Sequence, residues 1–91
     1  MAKPLRRNRA FEKKFEKRIA RNAKLSSQFE ARLTLFLSGI RDVPLNDHPL
    51  TGNMDGKRAF SITADIRVIY IETDEAIVFV DIGTHAQVYE S

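Results

Sequence analysis

Two hydrophobic periods divide the chain. Phe11, Phe15 and Ile19 lie four residues apart, one apolar stripe on a helix that opens at Asn8, a good N-cap, with Lys13, Lys14, Lys17, Arg18 and Arg21 elsewhere around its axis. The phase is lost around residues 22–26. Ser27 with Glu30 three residues on then makes a capping box, which predicts a second helix over residues 27–38 with Phe29, Leu33, Phe36, Leu37 and Ile40 on one face. Gly39 is its expected stop, and the short connection makes the two helices antiparallel. Ahead of them, residues 1–7, with Pro4, Arg6 and Arg7, read as a short edge strand.

Beyond residue 56 the period changes to that of strands. Residues 41–56 carry Pro44, Pro49, Gly52 and Gly56 among Asn and Asp, which is loop chemistry throughout and lays His48 near the strands that follow. Arg58, Phe60 and Ile62 share one side of a strand, with Lys57, Ala59 and Ser61 on the other. Thr63, Ala64 and Asp65 turn the chain into the apolar run 66–71, interrupted by Arg67. Thr73, Asp74 and Glu75 turn it again into 76–82, interrupted by Asp81. Gly83 ends the last strand, and Thr84 caps a final short turn that starts at His85. Strands this apolar need cover, and the helical stripes supply it. The expected fold class is α+β: an N-terminal antiparallel helical hairpin packed on a small twisted antiparallel sheet, with a short C-terminal helix or turn. Residues 1–91 are expected to form a single domain with one modest core.

Charge sharpens this division. Residues 1–41 hold 12 Lys and Arg against 3 Glu, a balance of +9, while residues 42–91 hold 3 against 9 Asp and Glu, a balance of −6. So cationic a half attracts RNA, DNA or an acidic protein segment through counterion release, although a solvated helix face has the same composition. The absence of cysteine excludes disulfide scaffolds and thiolate metal sites and points to the cytoplasm. No apolar run approaches the ~20 residues of a membrane span. The two histidines are far apart and the carboxylates scattered, so neither a metal site nor another cofactor is expected.

The segments DHPLTGNMDGKR, SITADIRVIY and DIGTHAQVY, in that order and spacing, resemble the RelE/ParE superfamily of type II toxin-antitoxin toxins, nearest its YafQ branch. The match covers about residues 47–89; the helical hairpin agrees in architecture. The resemblance implies a RelE-like fold and an mRNA interferase, an endoribonuclease that cuts mRNA on the ribosome and is held inactive by a cognate antitoxin. It further implies contacts with mRNA and ribosomal RNA, a monomer when free and a hetero-oligomer with the antitoxin. His48, Asp65 and His85 fall on the family's catalytic positions, Arg58 on a basic motif position and Tyr89 on the terminal aromatic position. The chain departs from the pattern at Ala59 and Ser61, where the family has an acidic residue and a second strand histidine, and at Ile66, where it has Trp.

Cleavage by 2′-hydroxyl attack requires a base on that hydroxyl, an acid on the leaving oxygen and positive charge on the phosphorane. His85 is the expected acid, His48 or Asp65 the base, with Arg58 and Arg67 on the phosphate and Tyr89 on a base or the phosphate. Asp65 also reads as a plain turn residue, and Arg67 as half of an ion pair with Asp81. The alternative reading is a non-catalytic module of the same superfamily, either directed at gyrase or binding an antitoxin only.

Overall fold

A computed structural model describes residues 3–89 of the chain. Its elements are β1 (Leu5–Arg7), α1 (Arg9–Arg18), α2 (Ala23–Leu37), β2 (His48–Pro49), a 3₁₀ turn (Gly52–Met54), β3 (Arg58–Ser61), β4 (Ile66–Glu72), β5 (Ile77–Thr84) and α3 (His85–Tyr89). The five strands form one sheet in the order β1-β5-β4-β3-β2. The expected N-terminal strand is present over Leu5–Arg7; residues 1 and 2 lie outside the described residues. It pairs parallel to β5, so the sheet is mixed at this edge and antiparallel elsewhere.

Local chemistry accounts for the helix ends. Asn8 caps α1 by accepting the Phe11 N–H through Oδ1 at 2.8 Å. The second helix starts at Ala23, four residues before the expected range 27–38. Asn22 is the N-cap, accepting the Leu25 N–H at 3.0 Å, and the helix runs through Ser27 without interruption. Asn competes as well as Ser for this position, and the earlier start gives the helix an extra turn. At the other end Ile40 donates to the Leu35 carbonyl and Gly39, at φ 96°, to that of Phe36, both at 3.1 Å: a Schellman motif that needs the glycine.

Both helices cover one face of the sheet. Phe29 of α2 packs 4.8 Å from Phe15 and 6.2 Å from Phe11, and Phe36 stacks 4.6 Å from Phe60, with Tyr70 and Phe79 closing the cluster. The Arg7 guanidinium lies 4.7 Å above Phe15, where a cation over a ring face is favoured. Leu37 departs from the expected stripe: it is the last residue of α2 and is 58% exposed. Residues 41–56 are more ordered than their composition implies. Leu45 is fully buried, and β2 adds to the sheet edge with His48 opposite Ala59 and Pro49 opposite Arg58, an edge position that a proline tolerates.

The opposite face is only partly covered. Val88 of α3 packs on Ala59 and Ile69, with Leu50, Met54, Val80 and Tyr89 around them. No helix of the structure is long and apolar enough to cross a membrane.

Asn22→Ala is expected to lower unfolding free energy by about 1 kcal/mol in a urea titration, whereas Ser27→Ala should change it by less than about 0.5 kcal/mol. The reverse ranking would return the start of α2 to the Ser27 box.

Candidate active site

The partly covered face of the sheet holds four of the six candidate side chains. His48 stands opposite Ala59, and Arg67 opposite Ser61 on one side and Gly83 on the other, so all of them point away from α1 and α2. Where β5 ends, Thr84 accepts the Gln87 N–H at 3.1 Å while Gln87 Oε1 accepts the Thr84 N–H at 2.8 Å, a reciprocal cap that starts α3. The first and last residues of α3, His85 and Tyr89, are thereby one turn apart, their rings 4.5 Å from each other. His48, Arg67, His85 and Tyr89 line one open groove of about 360 Å³, with Leu50 and Met54 among its apolar walls.

Three of these groups have surroundings that constrain them. His48 Nδ1 is 2.9 Å from the Asn46 carbonyl, which can only accept, so Nδ1 carries the hydrogen and the neutral ring presents the lone pair of Nε2. Burial raises the pKa of the Tyr89 phenol, and the charge of Arg67 opposes that shift. Arg67 donates to the Ala64 carbonyl at 3.2 Å and forms no ion pair among the described residues. The alternative pairing with Asp81 does not form, because the register sets Asp81 opposite Ile69 and Arg67 opposite Gly83. Asp81 instead meets Lys14 at 3.0 Å. The guanidinium is left with most of its donors open to an anion.

Two other candidates lie elsewhere. Arg58 shares the helix-covered side with Phe60, opposite Tyr70. Its Nε and Nη2 each lie 2.7 Å from Oδ1 of Asp47, whose side chain is 0% exposed, and the Tyr70 hydroxyl donates to Oδ2 of the same carboxylate. The bond to Asp47 raises the pKa of Arg58 and occupies the fork that a phosphate would need. Asp65 is exposed in the β3–β4 turn, where its N–H and that of Ile66 donate to Thr63 Oγ1; it does not line the groove. Asp47 is the residue that sequence reasoning passed over. Its partners come from two strands, and no local spacing signals them.

The family model for YafQ, a bacterial toxin of type II toxin-antitoxin systems, matches residues 3–90. The chain belongs to the YafQ toxin family. It is similar in structure to YafQ from E. coli strain BL21(DE3), with 23% identity, 96% of this chain and 98% of that chain covered and a TM-score of 0.79. The toxin in an E. coli DinJ-YafQ complex matches at 25% identity, 96% and 98% coverage and TM-score 0.78. A copper-bound mutant toxin from Helicobacter pylori matches at 26%, 98% and 100%, and 0.73. No curated protein matches the chain. Within this YafQ-type fold, Ala59 and Ser61 lie on the same side of the sheet as His48, so two of the three departures from the family pattern fall on the groove's face.

The Asp47 network can be tested by removing its parts. Asp47→Ala leaves Arg58 and Tyr70 without their acceptor and is expected to destabilise by about 2 kcal/mol; the 38% exposure of the Arg58 side chain keeps the loss below that of a fully buried pair. Burial first, then the bond to Asp47, raises the Tyr70 pKa above its ordinary value near 10. The folded state thus holds this proton more tightly than the unfolded chain, so its contribution is full below about pH 10 and is lost as pH rises further. Thermal melts should show a shallower alkaline decline in Tyr70→Phe than in wild type.

Proposed function

We propose that this type II toxin is an endoribonuclease that cuts mRNA on the ribosome and so inhibits translation. The observation that carries the proposal is the convergence of His48, Arg67, His85 and Tyr89 on a single groove from β2, β4 and α3. In the proposed reaction, His48 Nε2 removes the proton from the 2′-hydroxyl, whose oxygen attacks the adjacent phosphorus. His85, protonated, gives its proton to the departing 5′-oxygen, leaving a 2′,3′-cyclic phosphate. Arg67 supplies positive charge to the phosphorane oxygens, and Tyr89 holds the His85 ring and offers a face or a hydroxyl to the RNA. The tautomer imposed by Asn46 supports His48 over Asp65 as the base. General acid-base chemistry of this kind needs no metal. Arg58, committed to Asp47, is assigned to holding the sheet edge.

The exposed cations of the helical hairpin, Arg9, Lys13, Lys17, Arg21 and Lys24, suit the backbone of ribosomal RNA. By analogy with the DinJ-YafQ complex, a cognate antitoxin with an acidic or apolar segment would cover this protein and hold it inactive. Ala59 and Ser61 on the groove side of β3 favour one second reading, a non-catalytic module that grips an antitoxin or gyrase.

Mapping RNA ends after induction separates these readings. Wild type should cut messages and arrest growth, and His85→Ala and His48→Ala should each reduce cleavage by about 100-fold or more. Arg67→Ala should do so while remaining folded. Uncut messages beside inhibited DNA supercoiling would replace the nuclease with the gyrase-directed reading.

A further inference from the structure

The helix α3 carries His85 and Tyr89 yet has five residues, far short of the length at which a helix sustains itself. Val88, 4% exposed, anchors one side of it and the Thr84–Gln87 cap its start. A third hold comes from α1. Arg18, in the last turn of α1, donates from Nη1 to the Ile82 carbonyl at 2.8 Å and lies 3.8 Å from Asp81 Oδ1. Lys14, one turn earlier, meets the same carboxylate oxygen at 3.0 Å. Two cations on one side of α1 therefore grip the strand immediately before α3.

Gly83 shows how close this grip is. A Cβ at that position would lie 2.6 Å from Arg18 Nη1, 2.7 Å from Gln87 Oε1 and 3.0 Å from Gln87 Cβ. Its φ is not positive, so backbone freedom is not what the glycine provides. It provides room for the guanidinium and for Gln87 to close over the end of β5. Gly83 is two residues from His85 and opposite Arg67, at the point where the strand hands over to the groove.

We propose that Arg18 is a positioning residue for His85: by closing over Gly83 it fixes the β5–α3 junction, and with it the direction from which His85 enters the groove. The inference rests on the reading of His85 as general acid, and it links α1, outside the groove, to the acid inside it. Arginine suits the task because its planar guanidinium keeps a fixed direction along the carbonyl that it meets, which a lysine ammonium does not.

The test combines NMR of the histidine rings with single-turnover cleavage of a short RNA. In Arg18→Met the His85 ring signals should move, because the edge-on contact with Tyr89 is disturbed, while those of His48 stay in place. The rate of the chemical step should fall about 10-fold or more with KM changed less than about twofold. Gly83→Ala, which displaces both the guanidinium and the Gln87 cap, should move the His85 signals at least as far as Arg18→Met does. Arg18→Lys keeps the charge and serves if the methionine variant does not fold; it too should shift His85. A folded variant that melts at lower temperature but leaves the His85 signals and the rate at wild-type values would overturn the proposal and make Arg18 a brace of the fold alone. Should wild type cut no RNA, the nuclease reading fails, whereas unmoved or moved His85 signals still decide whether Arg18 places that ring.

Discussion

A carboxylate with no exposure to water must be met by charge and hydrogen bonds, and Asp47 is such a group. Arg58 from β3 and Tyr70 from β4 meet it, so the loop that follows the helical hairpin is tied to two neighbouring strands at one point. The next residue is His48. Once Asp47 is fixed on the helix side of the sheet edge, the alternation of an extended chain turns His48 to the other side, toward the groove. The same contact occupies the guanidinium fork of Arg58.

The two faces of the sheet divide the work. One is filled by Phe11, Phe29, Phe36, Phe60, Tyr70 and Phe79, all fully or almost fully buried, and burying side chains of this size contributes roughly 1.5–3 kcal/mol each before entropy is counted. The other carries a smaller cluster around Ala59, Ile69 and Val88 and leaves the remaining width open. A groove on a thin sheet is thus available because the aromatic core behind it supplies rigidity. Its polar groups come from an edge strand, a central strand and a terminal helix, and that spread lets a chain of 91 residues line one groove from several directions.

Electrostatics follows the same division. Cations are exposed on α1, on the far side of the sheet, whereas in the groove itself Arg67 is the guanidinium without a carboxylate among the described residues. Lys14 and Arg18 direct part of the helix charge onto Asp81 and the Ile82 carbonyl, which leaves the other cations of α1 to the solvent.

The sequence by itself determined the elements and their apolar faces, because helical and alternating periods are properties of neighbours along the chain. It placed the Asn8 cap, the glycine stop at Gly39, the Thr63 and Thr73 turns and the strands that carry Phe60 and Arg67. It misjudged the start of α2, where two local capping signals compete, and the exposure of Leu37, which depends on how far the sheet extends beneath the helix. It identified six candidate side chains as chemically apt but could not say which of them meet. Tertiary structure decided that. Strand register sent Arg67 to the groove and Arg58 to Asp47, the turn kept Asp65 outside, and the reach of Arg18 over Gly83 arose from packing between residues that are 65 positions apart in the chain. Pairings of this kind depend on which distant segments the shared core brings side by side, and no local period encodes them.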